Sequence, residues 1–171
     1  MSGDAHAPVT VRSAEPADAA AIARIYNYYV TSTVVTFEEE PVAELEMARR
    51  IADVQAASLP WLVAEIAGQI VGYAYAAPWR TRSAYRFSVE ATVYLAADRT
   101  GAGIGSRLYE ALFAMLQARG IHAAMGGIAL PNAASVALHE KFGMRKVAHF
   151  GQVGWKFGRW VDVGYWQRTF A

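Results

Sequence analysis

Three glycines in alternation, where a strand pattern gives way to a helix pattern, constrain this chain more than any other feature. Residues 88–95 alternate apolar and polar side chains, which predicts a strand, and apolar residues recur at helical spacing from Ile104 onward. Between them, Gly101, Gly103 and Gly105 let the backbone bend tightly and point several N–H groups in one direction, beside the positive end of a helix. This unit predicts an α/β fold. Its loop favours an anion such as a pyrophosphate, with a plain tight turn as the alternative.

Two common phosphate-binding motifs do not fit the residues of this loop. A P-loop needs Gly-Lys-Ser/Thr, and the chain contains no Gly-Lys pair. The dinucleotide fingerprint Gly-x-Gly-x-x-Gly fails because Ser106 occupies the place of the third glycine, and no acidic residue lies between Glu110 and Glu140 to bind a ribose. A nucleoside triphosphate or a nicotinamide dinucleotide is therefore disfavoured as the ligand.

The hydrophobic periodicity of the whole chain predicts the order β-α-α-β-β-β-α-β-α-β-β, a mixed α/β sandwich. The predicted strands cover residues 9–12, 61–66, 70–76, 88–95, 121–129, 144–153 and 160–169. The predicted helices begin near Pro16, Pro41, Ile104 and Asn132. In the second helix, the residues predicted to face inward are Leu45, Ala48, Ile51 and Ala52.

Length and composition are those of one globular domain. With 54% hydrophobic and 18% charged residues among 171, the chain is unlike a disordered segment, and we expect a single domain over residues 9–171 after a flexible N-terminus at 1–8. A net charge of +1 predicts no nucleic-acid partner and no membrane partner. The lack of cysteine excludes disulfides and thiolate nucleophiles, and the histidine spacing predicts no metal site. With no visible signal peptide, we expect a cytoplasmic protein.

Several motifs resemble those of the GNAT N-acetyltransferases. Residues 92–95, followed by Gly103 and Gly105 at a helix start, are similar to the acetyl-CoA loop of that superfamily, and residues 132–135 with 138–144 are similar to its last helix and turn. A closer resemblance is to the phosphinothricin and methionine sulfoximine acetyltransferase subfamily. It rests on matches in order along nearly the whole chain, at residues 32–34, 60–65, 73–76, 78–80, 84–85, 90–94, 130–132, 152–154, 156–160 and 162–167.

The resemblance implies a GNAT-like fold: α/β, with a mixed, mostly antiparallel central sheet that is flanked by helices and splayed at the acetyl-CoA site. It also implies acetyl-CoA as the acetyl donor, a small amino-acid-like substrate and a homodimer. The implied cofactor-binding residues are Val93, Tyr94, Leu95, Thr100, Gly101, Ala102, Gly103, Ile104, Gly105, Ser106, Asn132 and Ser135. Thr100 stands where the superfamily usually has Gln or Arg, a departure that affects a side-chain contact to the pyrophosphate but not the backbone contacts. We interpret Trp155, Trp160 and Trp166 as packing or subunit-interface residues, because no basic stripe accompanies them.

Acetyl transfer to an amine requires a neutral nitrogen, whereas an α-amine with a pKa of about 7.7–8.0 is mostly protonated at neutral pH. A nearby base therefore accelerates the reaction, by roughly 10²–10⁴-fold. Glu90, on the polar face of the 88–95 strand, is the candidate base, where the resemblance places the catalytic carboxylate of the subfamily; a solvated carboxylate is the alternative. His139 is the second catalytic candidate, because the subfamily has His where the superfamily commonly has a Tyr acid; a packed or solvated histidine is the alternative. The resemblance also implies a backbone N–H within residues 93–95 that stabilises charge on the thioester oxygen.

A basic cluster just before this strand is the candidate substrate site. Arg80 and Arg82, with Tyr85 nearby, can bind carboxylates or phosphinates, since arginine pairs with both bidentately. The resemblance adds Phe37 and Val163 as apolar substrate-binding positions, with core packing as the alternative for both. The prediction is an acetyl-CoA-dependent N-acetyltransferase acting on small amino-acid analogues such as phosphinothricin or methionine sulfoximine. The alternatives are acetylation of another amine, on a protein N-terminus or a polyamine, and a non-catalytic acyl-CoA-binding module.

Overall fold

The computed structural model describes residues 7–170 and confirms the predicted order of elements. The helices are α1 (Ala19–Ser32), α2 (Glu44–Ala56), α3 (Ile104–Ala118) and α4 (Ala133–Lys141). The strands are β1 (Thr10–Ser13), β2 (Trp61–Ile66), β3 (Gln69–Pro78), β4 (Ser88–Leu95), β5 (Ala123–Leu130), β6 (Arg145–Lys156) and β7 (Arg159–Thr169). Of the N-terminal segment predicted to be flexible, residues 1–6 lie outside the described range.

One seven-stranded sheet carries the fold, in the order β1-β2-β3-β4-β5-β7-β6. Every neighbouring pair is antiparallel except β4 and β5, which are parallel. The prediction of a mixed, mostly antiparallel sheet is therefore confirmed. Because β6 is an edge strand, one side of the long β6–β7 hairpin has no strand neighbour within the described chain.

The sheet is splayed between β4 and β5, as predicted. These strands pair only from Ser88 opposite Ala123 to Glu90 opposite Met125. Beyond that point β4 continues to pair with β3 as far as Leu95, so only its other edge is left without a strand partner. The backbone groups on that edge therefore face a gap that starts at Glu90.

Helices cover both faces of the sheet, and the side chains of β4 point alternately to the two faces. Tyr94 packs edge-on against Tyr26 of α1, with ring centroids 5.2 Å apart. Leu95 points the other way, toward Gly105 of α3. Helix α3 buries Ile104, Leu108, Leu112 and Leu116 at a spacing of four residues, which is the apolar face that its sequence predicts.

The predicted orientation of α2 is wrong in part. The helix begins at Glu44 rather than at Pro41, and it buries Met47, Ile51 and Val54. Leu45 is 83% exposed and Ala52 is also exposed, whereas Ala48 is partly buried and Ile51 is buried as predicted. The later start has a local reason: the Val42 N–H donates to Asn27 Oδ1 of α1 at 2.7 Å, which keeps the segment before the helix extended.

The β6–β7 hairpin is longer than predicted and interrupted by two register shifts, between Lys146 and Ala148 and between Phe150 and Gly154. Trp166 is buried, with 2% of its surface exposed, whereas Trp155 and Trp160 are more than half exposed. Within residues 7–170, no helix has the length and apolar character that crossing a membrane would require.

Candidate active site

A cavity of about 940 Å³ opens at the gap between β4 and β5. It extends from the segment after α1, across the two strands, to the inner side of the β6–β7 hairpin. The predicted site residues that line it are Phe37, Arg80, Tyr85, Glu90, Val93, Tyr94, Asn132, Ser135, His139 and Val163. The fold thus brings both catalytic candidates and most of the predicted substrate-binding residues to one space.

The Glu90 carboxylate is free to react. In the described chain it has no hydrogen-bond or ion-pair partner, although it lies at the last paired position of β4. Burial raises the pKa of Glu90 above its ordinary value, and the charge of Arg80 opposes this shift. A Cβ atom on Gly127 of β5 would lie 3.2 Å from Glu90 Oε1, so this glycine leaves room for the carboxylate.

Two contacts fix the tautomer of the neutral His139 ring. Its Nδ1 lies 2.7 Å from the Ser135 carbonyl oxygen, which can only accept, so Nδ1 carries the proton and donates. The Tyr109 hydroxyl lies 3.0 Å from Nε2 and donates to it. Burial lowers the pKa of His139 despite the bond to Ser135, which favours the neutral ring. Burial, and then the charge of Glu90, raise the pKa of Tyr109, so the phenol keeps its proton at neutral pH.

Glu90 and His139 lie on opposite faces of the sheet. A Cβ on Gly126 would lie 2.6 Å from His139 Nε2, whereas one on Gly127 would approach Glu90. Adjacent residues of a strand point to opposite faces, so the backbone of β5 lies between the two catalytic candidates. The two sides are connected through the gap between β4 and β5. No hydrogen bond joins them in the described structure. The base candidate faces α1, and the histidine faces α3 and α4.

The glycine loop contains two kinds of glycine. Gly101 and Gly103 have φ values of +78° and +76°, in the left-handed region, and a Cβ on either would meet nothing within 4 Å. Gly105 is in the first turn of α3, where a Cβ would lie 3.2 Å from Leu138 of α4. The first two therefore shape an open loop, and the third permits close packing of α3 and α4.

The loop and the β4 edge fit a thioester-linked diphosphate ligand. The first N–H groups of α3 have no carbonyl partner within the helix, and its positive dipole end faces the open space at Gly103. Lys141 Nζ donates to Ser106 Oγ at 2.9 Å and adds a cation beside the loop. Thr100, Gly101, Ala102 and Gly103 are exposed, while Ile104 is buried beneath them.

Among the predicted substrate-binding residues, Arg80 and Arg82 differ in position. Arg80 lines the cavity and stacks on Trp79, with its guanidinium carbon 4.8 Å from the ring centroid. Arg82 is exposed and, within the described residues, does not line the cavity. Tyr85, Phe37 and Val163 also line the cavity.

Several residues of the site were not predicted from the sequence. Tyr109 is on the buried face of α3, where an aromatic residue at helical spacing reads as core. Trp79 and Tyr165 meet edge-on at 5.5 Å and close the cavity near Arg80 and Gly127. Nothing in the sequence indicated that Gly126 and Gly127 belong to the site, because their close contacts come from elements far away in the chain.

The chain matches the family described as "Acetyltransferase (GNAT) domain" over residues 11–164. It is 41% identical over 163 residues to a phosphinothricin N-acetyltransferase of Streptomyces viridochromogenes, covering 95% of this chain and 88% of that protein. It is 37% identical to an L-methionine sulfoximine/L-methionine sulfone acetyltransferase of Salmonella typhimurium, covering 93% of each. A phosphinothricin acetyltransferase from Sinorhizobium meliloti, solved in complex with acetyl-CoA, superposes with a TM-score of 0.92 at 36% identity, covering 95% of this chain and 89% of that one.

Proposed function

This chain belongs to the GNAT acetyltransferase family and is an N-acetyltransferase, and on that premise we propose that it acetylates the α-amine of small amino-acid analogues such as L-phosphinothricin or methionine sulfoximine. Acetyl-CoA is the acetyl donor. The observation that carries the proposal is the unpaired, partly buried Glu90 carboxylate, which faces a cavity that also holds Arg80. A base and a fixed cation together suit an amine that carries its own acid group.

The donor would lie along the free edge of β4. Backbone groups of Val93–Leu95 would bind its amide arm, and the N-terminus of α3 with Gly101 and Gly103 would bind its diphosphate. Asn132 and Ser135, where α4 begins, would face the reactive end of the donor, since both line the cavity. Acetyl-CoA supplies the acyl thioester; the protein supplies position and proton transfer.

On the acceptor side, Glu90 would take the proton from the substrate ammonium. The raised pKa of Glu90, caused by burial, brings the carboxylate closer to the pKa of an amine and makes it a stronger base. Removing that proton exposes the nitrogen lone pair, which then bonds to the thioester carbon. As the carbon–sulfur bond breaks, the nitrogen would lose a second proton to solvent in the cavity, which leaves a neutral amide. The backbone N–H groups of β4 would stabilise the charge that develops on the thioester oxygen.

On the donor side, His139 would act through Tyr109. Both ring nitrogens of His139 already have protein partners, and the Tyr109 hydroxyl is one of them. Because Tyr109 lines the cavity, its hydroxyl would turn from His139 Nε2 and give its proton to the departing thiolate, and the phenolate would regain a proton from solvent. The catalytic pair of the prediction thus becomes two separate groups, with Glu90 for the amine and Tyr109–His139 for the thiol.

The acceptor would be bound by one cation and an apolar wall. Arg80 would pair with the substrate carboxylate, held in place by its stacking on Trp79. Tyr85 would add a hydroxyl, and Phe37 and Val163 would contact the side chain of the substrate. Arg82 has no place in this proposal, because it lies outside the cavity lining in the described structure. Acetylated phosphinothricin would no longer carry a free amine, so the enzyme would confer resistance to that herbicide.

We also propose that the protein is a homodimer that forms through the β6–β7 hairpin and acts in the cytoplasm, where acetyl-CoA is available. Three large aromatic side chains of this hairpin, Trp155, Phe157 and Trp160, are more than 50% exposed and lie outside the cavity lining of the described structure. An exposed apolar patch on an edge strand is the kind of surface that a second copy covers. Sedimentation of the wild type and of a W155S/W160S variant tests this, and a monomeric wild type would contradict it.

The proposed reaction is tested with acetyl-CoA and a panel of amines, by following release of free thiol. The panel contains L-phosphinothricin, L-methionine sulfoximine, a short peptide with a free N-terminus and a polyamine. We expect turnover with the two amino-acid analogues. Turnover with the peptide or the polyamine alone would show that the acceptor belongs to a different class of amine from the one proposed.

A Glu90→Gln variant separates an enzyme from a binding module. It should retain acetyl-CoA affinity, measured by calorimetry, and lose turnover by about 10²–10⁴-fold. Glu44→Gln is the matched control, since Glu44 is an exposed carboxylate at the start of α2. If the wild type binds acetyl-CoA but acetylates no amine of the panel, the binding module is the better description.

A further inference from the structure

The ammonium group of Lys156 is buried without a carboxylate. Lys156 is the last residue of β6 and only 1% exposed. In the described structure no carboxylate lies within ion-pair distance of its Nζ; its hydrogen-bond acceptors are backbone carbonyls, of Thr36 at 2.8 Å and Tyr29 at 3.5 Å. Burial lowers the pKa of Lys156, and the more distant charges of Glu39 and Glu38 oppose this shift. Burying a cation costs free energy unless its contacts replace the lost hydration, so the contacts of Lys156 must compensate for that cost.

Lys156 binds the segment that leaves α1. The Tyr29 carbonyl lies in the last turn of this helix, at the negative end of its dipole, where a cation is favoured. The Thr36 carbonyl lies farther on, in residues 33–37, which we call the wall segment. One ammonium group therefore connects the end of α1, the wall segment and the β6–β7 hairpin.

Two further contacts hold the wall segment in the same place. The Thr36 hydroxyl lies 2.8 Å from the Tyr26 hydroxyl of α1. The Phe37 ring lies on Gly154 of β6 so closely that a Cβ atom there would overlap it. Lys156 and Gly154 are two residues apart on one strand, so β6 holds the segment through one polar and one apolar contact.

The wall segment forms part of the acceptor side of the cavity. Val35, Thr36 and Phe37 line it, on the sheet face that Glu90 also uses. Lys156 itself is not among the lining residues of the described structure, so it contacts the segment from behind. Its charge can affect the acceptor only by fixing the position of the wall segment.

We propose that Lys156 is a positioning residue for the acceptor: its ammonium group holds the Thr36 carbonyl and thereby keeps Phe37 and the wall segment against the substrate. This inference rests on the proposed function for its kinetic consequence, though not for its structural one. Loss of the ammonium group should loosen the wall and leave Glu90, the glycine loop and the β4 edge in place.

The kinetic test compares Lys156→Met and Lys156→Gln with the wild type. Lys156→Met should raise the KM for the acceptor by about tenfold, as expected for loss of one hydrogen bond from a charged donor. The KM for acetyl-CoA and kcat at saturating acceptor should stay within about twofold, since lost ground-state binding appears in KM alone. Lys156→Gln keeps an N–H donor and should fall in between. Lys146→Met, an exposed lysine on the same strand, is the control and should behave as the wild type.

Hydrogen exchange of the free protein tests the inference without the reaction. Amides of residues 33–38 should exchange faster in Lys156→Met than in Lys146→Met, while those of β4 should not change. A wild type that acetylates no amine would remove the proposed function but leave this comparison valid. Equal rises in KM for both substrates, a fall in kcat alone, unchanged exchange at 33–38, or failure of both Lys156 variants to fold would each overturn the positioning role.

Discussion

The Tyr109 hydroxyl lies 3.0 Å from Nε2 of His139, in a region where both side chains are almost fully buried. Tyr109 comes from α3 and His139 from α4, so the contact joins the helix of the glycine loop to the helix that follows β5. The contact leaves His139 no free nitrogen, since Nδ1 donates to Ser135. The Tyr109 hydroxyl is therefore the only group of this pair that can offer a proton to the cavity, and it must turn away from Nε2 to do so.

Replacing Tyr109 with Phe should lower kcat by about 10²-fold, the lower limit for loss of a general acid. The KM values should change little, because the ring and its stacking on Phe113 are kept. Tyr28→Phe is the control, since Tyr28 is 47% exposed on α1. Steady-state kinetics with both substrates make the measurement, and a kcat equal to that of the wild type would show that the thiolate is protonated by another group.

The pH dependence of kcat/KM should report the raised pKa of Glu90. The base must be ionised to act, so the rate should rise as the pH climbs through that pKa. Arg80 opposes the shift caused by burial, and its removal in Arg80→Ala should raise the pKa of Glu90 and move the low-pH limb of the profile upward. The amine contributes equally to both profiles, so the difference between them belongs to the enzyme.

Arg82→Ala provides the matched control for Arg80→Ala. Arg82 is exposed and lies outside the cavity lining in the described structure, so neither the low-pH limb nor the acceptor KM should change. Arg80→Ala should also raise the KM of an acidic acceptor by about tenfold, the effect of losing a charged hydrogen-bond partner. Equal effects of the two substitutions would contradict the assignment of Arg80 as the substrate anchor.

Gly103→Ala should weaken the affinity for coenzyme A, whereas an equally strained glycine substitution outside the loop should not. Its φ of +76° lies in the left-handed region, so the substitution costs about 1–2 kcal/mol of stability. Gly68→Ala, in the β2–β3 turn, carries the same strain at φ +79° in equally open space and is far from the loop. Calorimetric titration with coenzyme A should then separate the two variants, while their unfolding midpoints stay close together. Equal affinities would show that the loop does not bind the diphosphate.

The Arg12–Asp18 pair should make stability depend on pH. Hydrogen bonds from Arg12 lower the pKa of Asp18 despite its burial, so its contribution is complete above the ordinary Asp pKa of about 3.9 and is lost as the pH falls below it. Asp18→Asn should cost about 1–2 kcal/mol at neutral pH, a value reduced because Arg12 is 38% exposed. Urea unfolding at neutral and acidic pH measures this. Asp53→Asn, in an exposed pair with Arg49, should have almost no effect.

The parts of the site that could be predicted from the sequence depend on local patterns. Strand alternation placed Glu90 on the polar face of β4, and the left-handed positions at Gly101 and Gly103 follow from residue type. The predicted start of α2 is too early, because a tertiary bond between Asn27 and Val42 keeps the preceding segment extended.

The remaining parts depend on contacts between distant elements. Tyr109 looks like any core aromatic until α4 brings His139 to it. Arg80 and Arg82 have the same chemistry in the sequence, and only the turn after β3 separates the one that faces the cavity. The space beside Gly126 and Gly127 can be recognised only in the folded structure, where His139 and Glu90 occupy the two faces of β5.

The placement of Glu90 and His139 on opposite sides of β5 has a consequence for the catalytic cycle. On the proposed roles, every turnover leaves an extra proton at the carboxylate and a deficit at the phenol. Both groups line one cavity, so water that enters it once the products have left can remove the first proton and restore the second.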